Sequence, residues 1–294
     1  MRFSRNKTKA GRPVIAILLL VGLVTGLTGC GSDVINIVGS NTVTPLSAVW
    51  AEEFMDMHLE ANIAVSGPGS GAGIAALING TTDICQASRT IRPTEIEQAQ
   101  ANGVEPYEIQ VAIDALSVVV HPDNPVSELT FAQLSAIYTG QITNWNEVGG
   151  DDAEIVAIAR DTNSGTHVFF KEHVVQMQGL PTEDTSLEYG GDVLMLPSTE
   201  EGVDQVADNP GTIFYPGLGY VTDEIKLIAV KRTADSTAVL PSIETALDGT
   251  YPIARPLLFY TNGEPTGVIK DFIDYCLSSE GQAKVLEVGY VPLP

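Results

Sequence analysis

The sequence predicts an α/β protein of two domains. Short β-type runs alternate with amphipathic helical runs along nearly the whole chain, the pattern of strands and helices packed in layers. The 265 residues after a leader-like opening exceed what one compact core ordinarily holds. No internal repeat or low-complexity linker interrupts them, so ordinary strands must carry the chain between domains.

Residues 1–29 read as an address. Arg2, Arg5, Lys7, Lys9 and Arg12 form a basic start with no acid in it, and Val14 to Leu27 is an apolar stretch broken by Gly22 and Gly26. That run falls short of the roughly 20 apolar residues of a membrane span and fits the apolar region of a secretory signal. Leu27-Thr28-Gly29-Cys30 resembles a prokaryotic lipobox. The expectation is export, cleavage before Cys30 and a lipid on that cysteine, which would hold the protein on the outer face of the cell membrane.

The first strand is expected at Val34 to Val38. Thr44-Pro45 then opens a helix to about His58, with threonine as cap and proline at the first helical position. Ile63 to Ser66 reads as a second strand, followed by a glycine-rich turn and a helix ending at Gly80. Asp83 to Ala87 is a third strand, and Pro93 to Asn102 a helix stopped by Gly103. The apolar run Gln110 to Val120 could carry the chain across. Beyond it, Leu129 to Tyr138 is expected as helix, Glu154 to Ala159 as strand, and Thr166 to Met177 as helix ended by Gly179 and Pro181. Glu200 to Ala207 reads as helix and Thr212 to Tyr215 as strand. Ile253 to Tyr260 is a strand expected to cross back, followed by a helix over Thr266 to Leu277. The expected domains are therefore 30–114 with 253–294, and 115–252.

Charge narrows the function. Loss of residues 1–29 removes five of fifteen Lys and Arg and none of 37 acids, leaving a formal charge of −27. Such a field repels nucleic acid, so no nucleic-acid partner is expected. Any anion site must then be built from local dipoles and a few placed arginines. Cys85 and Cys276 lie far apart with no neighbour at metal-ligand spacing. They read as buried free thiols, and neither a metal nor a cofactor is expected.

Three serine- and glycine-bearing turns follow strands: Gly39-Ser40-Asn41-Thr42, Gly67-Pro68-Gly69-Ser70-Gly71-Ala72-Gly73, and Arg160-Asp161-Thr162-Asn163-Ser164-Gly165-Thr166. Each places hydroxyls and open backbone N–H groups at a helix start, where those N–H groups lack partners and the dipole is positive. One such turn is an ordinary cap. Three at strand-to-helix junctions suit a small anion. The mature chain has five arginines. Arg160 precedes Ser164 by four residues and Arg89 follows Ser88, so both are expected at a tetrahedral oxyanion, whose oxygens match the guanidinium fork. Arg92, Arg232 and Arg255 read as surface arginines paired with acids. No nucleophile elbow, histidine ligand spacing or P-loop occurs. Ser164 and His167 could share a helix face, but capping explains that spacing better than a catalytic dyad does, so no enzyme is expected.

With these residues in hand, the chain resembles the phosphate-binding proteins of phosphate-specific ABC transporters, which have the type II periplasmic-binding-protein fold. The most specific segments are Leu129-Thr130-Phe131-Ala132-Gln133-Leu134 continuing through Ile137-Tyr138-Thr139-Gly140-Gln141-Ile142-Thr143-Asn144-Trp145, and Gly211 to Tyr215 with Gly217 to Val221. The resemblance implies two lobes, each a mostly parallel sheet flanked by helices, with the ligand cleft between them. It implies a monomer that captures inorganic phosphate and delivers it to a membrane permease. Carried over by motif, the implied ligand residues are Ser40, Asn41 and Thr42, then Ser70 and Gly71, then Arg160, Ser164, Gly165 and Thr166, with Asn41 giving its backbone N–H. One departure stands out. Many members end the third strand with an aspartate that accepts the proton of phosphate, whereas here Ala87-Ser88 leads to Arg89. Arg89 is therefore expected to contact the anion, with Asp161 as a candidate replacement acceptor.

Overall fold

The computed structural model describes residues 34–294; the leader and Cys30, with the export and lipidation expectations, lie outside the described residues. Described residues run from β1 (Val34–Gly39) through α1 (Thr44–Met57), β2 (Asn62–Ser66), α2 (Ser70–Ile78), β3 (Ile84–Ala87) and α3 (Pro93–Ala101) to the long β4 (Pro106–Ala115). Then come β5 (Val118–Val120), β6 (Glu128–Thr130), α4 (Phe131–Tyr138), β7 (Val156–Arg160) and α5 (Gly165–Phe170). They are followed by β8 (Leu194–Leu196), α6 (Thr199–Asp208), β9 (Thr212–Phe214), β10 (Lys226–Lys231) and α7 (Ile243–Leu247). β11 (Ala254–Asn262), α8 (Gly267–Leu277) and α9 (Ser279–Glu287) complete the fold.

Two sheets result, ordered β2-β1-β3-β11-β4 and β6-β10-β5-β9-β7-β8. Each is mixed rather than simply parallel. In the first, β1 pairs in parallel with β2 and β3, while β11 runs against both β3 and β4. In the second, β10 with β6, and β7 with β8 and β9, are parallel, while β5 runs against β10 and β9. The reversed strand in each sheet is the one reached directly after the chain crosses between lobes.

Burial explains why the strands sit where they do. β3 and β5 are buried at every residue, as strands covered on both faces must be. On the first sheet α1 lays Trp50 and Phe54 inward. Trp50 meets Phe259 edge-on at 5.9 Å, Phe54 meets Phe272 at 5.4 Å, and the indole N–H donates to Gly281 O (2.8 Å). Each such ring contributes about 1.5–3 kcal/mol by leaving water. The second lobe centres on Tyr138, Phe170 and Tyr215, with Phe170 stacked on Tyr215 at 3.8 Å.

Several local expectations shift. Thr44 is helical rather than a cap: Val43 occupies the cap position, and the Thr44 hydroxyl donates to Ser40 O (2.9 Å) while accepting from Gln86 Nε2 (2.8 Å). Leu129 lies in β6, because Thr130 caps α4 and Gln133 reciprocates in a capping box. The helix expected over 166–177 narrows to α5, continues as a π turn over Lys171–Val175 and is finished by Met177 at φ 54°. The run Gln110 to Val120 splits into β4 and β5. The sequence reading does not place β8, which is three residues long, or β10, whose apolar run is bounded by Lys226 and Lys231. α9 buries only Gly281 and Val285 and follows α8 with only Ser278 between them. Cys85 and Cys276 are both buried and free.

Candidate functional site

β1, β2 and β7 end in the three turns that the sequence singles out, and the fold brings those ends together with the end of β3 between the lobes. Ligands of open α/β sheets sit at the carboxyl ends of strands. Gly39, at φ 148°, lies so close to Gln86 O that a Cβ would have no room, and Ser40 N–H donates to that same carbonyl (2.7 Å). This close approach sets Ser40 beside the end of β3. The glycine turn after β2 then lies on the opposite lobe: Gly71 N–H donates to Asn163 O (3.0 Å), and a Cβ on Gly69 would meet the same carbonyl at 2.7 Å.

At the centre is a cluster of buried hydroxyls. Ser40 Oγ–H donates to Ser88 Oγ (3.0 Å), and Ser70 Oγ lies 3.3 Å from Ser88 Oγ. Across the lobes Thr42 Oγ1 and Thr166 Oγ1 are 3.0 Å apart. A Cβ on Gly165 would run into Ser70 Oγ and Ser88 Oγ, so α5 begins in direct contact with the first lobe.

The polarity of these hydroxyls follows from their fixed neighbours. Ser40 Oγ accepts from Val43 N–H (3.4 Å), Ser70 Oγ from Ser88 N–H (3.1 Å), and Ser164 Oγ from Thr166 N–H (3.1 Å) and His167 N–H (3.4 Å). Thr166 Oγ1 accepts from Arg255 Nη2 (2.8 Å). A hydroxyl has one proton and two lone pairs. With an acceptor site already filled by a donor that cannot reverse, each of the four keeps its own proton for donation, which Ser40 gives to Ser88. The cluster is thus a set of neutral donors from both lobes.

Arg160 is buried and pointed at the Leu196–Thr199 turn, not at the hydroxyls. Its nitrogens donate to Leu196 O (3.3 Å), to Pro197 O (2.6 Å) and to Thr199 Oγ1. Among the described residues no carboxylate lies within ion-pair distance of it. Burial lowers its pKa, the expected response of a cation taken out of water. Thr199 in turn donates to Asn41 Oδ1 (3.1 Å), and Tyr220 OH donates to Asn41 O (3.2 Å), so Asn41 offers its side chain and carbonyl to the other lobe.

Arg89 departs from its expected role. Its fork is spent on Glu95 (2.7 and 2.8 Å), with a further bond to Thr90 O (3.0 Å). Burial pushes the Glu95 carboxyl up, but the Arg89 fork and the Arg92 N–H outweigh it and leave the pKa lowered. The physical reason is local: Glu95 is the third residue of α3 and already reaches back to its start, which sets its carboxylate beside Arg89 Nη1 and Nη2, while Arg89 Nε is left without a partner. Asp161 is likewise engaged, accepting from Asn163 N–H (2.9 Å) and Ser164 N–H (3.1 Å).

Arg255, expected from the sequence at the surface, is fully buried. It faces Asp114 across the β4–β11 pair, with Nη2 at 2.8 Å and Nε at 3.1 Å from one carboxylate oxygen. Nη1 donates to Ser88 O (3.0 Å). Sequence reasoning also misses Ser88, Asp114 and Thr199. A signal exists for the pair: Asp114 is a lone acid within an apolar run and Arg255 a lone base within another.

Ser164 and His167 meet through the cap of α5, where the Ser164 hydroxyl accepts from the His167 backbone N–H (3.4 Å). The His167 ring Nδ1 lies on Arg160 O (2.8 Å), and burial lowers its pKa.

Comparison with known proteins bears on the family and the fold. A family model, the PBP superfamily domain, matches residues 26–280. The chain is 31% identical to the phosphate-binding protein PstS of Pseudomonas aeruginosa over 87% of this chain and 82% of that one. It is 32% identical to PstS of Bacillus subtilis over 89% and 81%. The chain belongs to the PstS family of phosphate-binding proteins. Among solved structures, a candidate phosphate ABC transporter substrate-binding protein from Clostridium perfringens, with phosphate bound, superposes with a TM-score of 0.77 at 32% identity, covering 89% of this chain and 100% of that one. An ABC-type phosphate transport receptor from Vibrio cholerae gives 0.72 at 29% identity, covering 89% and 100%. PstS relatives are binding proteins, and the α/β architecture of two mixed sheets flanked by helices is theirs. No described helix is long and apolar enough to cross a membrane.

Proposed function

We propose that this PstS-family chain captures inorganic phosphate between its lobes and delivers it to the permease of an ABC transporter, as an exported monomer without catalysis, lipid-anchored through Cys30. The observation that carries the ligand reading is the pairing of a cluster of hydroxyls able to donate with Arg160, a buried cation that no described carboxylate neutralises. Buried charges are ordinarily paired. A bound oxyanion would supply the missing partner and take the protons that the hydroxyls hold ready.

The proposed ligand groups are Ser40, Asn41, Thr42, Ser70, Gly71, Arg160, Ser164, Gly165 and Thr166. Arg160 must swing its fork from the 196–199 turn to reach the anion. Arg89 is assigned to α3 instead. The proposed lobes are 30–114 with 253–294, and 115–252. Their crossings just after β4 and just before β11 would act as the hinge, and ligand contacts from both lobes would favour the closed form.

Calorimetric titration of the anion-stripped protein tests the reading. One-to-one phosphate binding with silent sulfate is expected. Equal binding of sulfate would keep the cleft but overturn phosphate as the specific ligand.

A further inference from the structure

We infer that Arg255 is a positioning residue of the anion site: through its bond to Thr166 it fixes that hydroxyl as a donor toward phosphate, and Asp114 holds the guanidinium in place to do so. The inference rests on the phosphate-binding reading above.

Arg255 and Asp114 are opposed on neighbouring strands of the first lobe, and both side chains are shut off from solvent. Asp114 Oδ2 takes two of the guanidinium donors, which sets the plane of the fork. The remaining bonds go to groups that line the hydroxyl cluster. Nη1 donates to Ser88 O at the end of β3, and Nη2 reaches across the lobes to Thr166 Oγ1. The other Asp114 oxygen accepts Leu218 N–H from the second lobe (3.2 Å). The pair is therefore anchored in the first lobe and bonded to the second.

Thr166 is the point of leverage. Its hydroxyl accepts from the Arg255 guanidinium, which has donors and no acceptor, so one lone pair is occupied and its proton is free to be given to Thr42 Oγ1 or to whatever replaces that contact. Without Arg255 the hydroxyl could turn its lone pairs to the anion and repel it. The Phe169 ring, 5.5 Å from the guanidinium carbon, packs over the same group from the second lobe. Because Asp114 balances its charge, Arg255 contributes orientation while Arg160 contributes the uncompensated charge.

A double-mutant cycle tests this, with phosphate titrated calorimetrically into the full-length chain. The corners are the parent, Thr166→Val, the pair variant (Asp114→Asn with Arg255→Gln), and the three changes together. Changing Asp114 with Arg255 avoids stranding a buried charge. Each single step is expected to weaken phosphate binding about tenfold or more. The combined variant should fall no more than about threefold below Thr166→Val alone, because once the threonine hydroxyl is gone there is nothing left to orient. A merely structural pair would instead multiply the losses, and that outcome overturns the inference. So does near-parental affinity in the pair variant. If the pair variant fails to melt cooperatively, Arg255→Lys takes its place in the cycle, keeping the charge but losing the fork, with the same two outcomes. A parent that takes up no phosphate overturns the functional reading and the inference with it.

Discussion

Arg89 and Arg255 are both buried arginines paired with a carboxylate, with opposite consequences. Arg89 finds Glu95 six residues on, within the first turn of α3, and the pair serves that helix start. Arg255 finds Asp114 on a neighbouring strand 141 residues away, and the pair faces the junction of the lobes. Adjacency to a serine turn in the chain points to Arg89. What decides the matter is which carboxylate each fork meets first: a local acid absorbs one arginine, and a distant one aims the other at Thr166.

The contrast can be broken most forcefully at Asp114. Asp114→Ala leaves Arg255 buried without a counter-charge and is expected to lose about 3–5 kcal/mol of stability in urea unfolding. A loss under about 1 kcal/mol would mean that the pair is not buried as described. Gly165→Ala probes the contact of the lobes rather than the pair. Its Cβ meets Ser88 Oγ at 2.6 Å, and overpacking of this kind should weaken phosphate binding about 10- to 100-fold by opposing closure. Unchanged affinity would remove Gly165 from the closed contact.

Glu95→Gln sharpens the comparison from the other side. It should cost about 1–2 kcal/mol by loosening Arg89 and the start of α3, with phosphate affinity within about threefold of the parent. A larger affinity loss would return Arg89 to the anion site. The smallest expected effect is on pH dependence. Burial holds the folded-state pKa of His167 below its ordinary 6.5, and His173 shares that direction. A folded pKa depressed in this way means that the unfolded chain binds the proton first as pH falls. Stability is then full above about pH 6.5 and declines below it, toward the lower folded-state value. His167→Gln should flatten part of that decline in melting temperature between about pH 5 and 6.5; an unaltered slope would clear His167 of the effect.

Much of the fold is legible in the sequence because strand and helix periods differ and because glycine and proline mark the turns. β1, β2, β3 and the helices after them follow from such signals to within a few residues. β8, β10 and α9 do not: β8 is three residues long, β10 is bounded by a lysine at each end, and α9 follows α8 with only Ser278 between them. Within the site, the serine turns announce themselves through chain-local grammar: a strand end, a small residue and a helix start. The Arg255–Asp114 pair has no local grammar, because its two halves become neighbours only when β11 inserts beside β4. The lone acid in Val111 to Val120 and the lone base in Ile253 to Tyr260 are the available clue, and burial of each predicts that each needs the other.

The central claim is that the hydroxyl cluster between the lobes is the phosphate site, and a crystal structure of the protein with phosphate tests it most directly. The account predicts a tetrahedral anion among Ser40, Thr42, Ser70, Ser164 and Thr166, with the Thr42–Thr166 contact opened, Arg160 turned onto the anion and Arg89 still on Glu95. Phosphate held elsewhere, or an Arg89 that leaves Glu95 to grip it, would contradict the account.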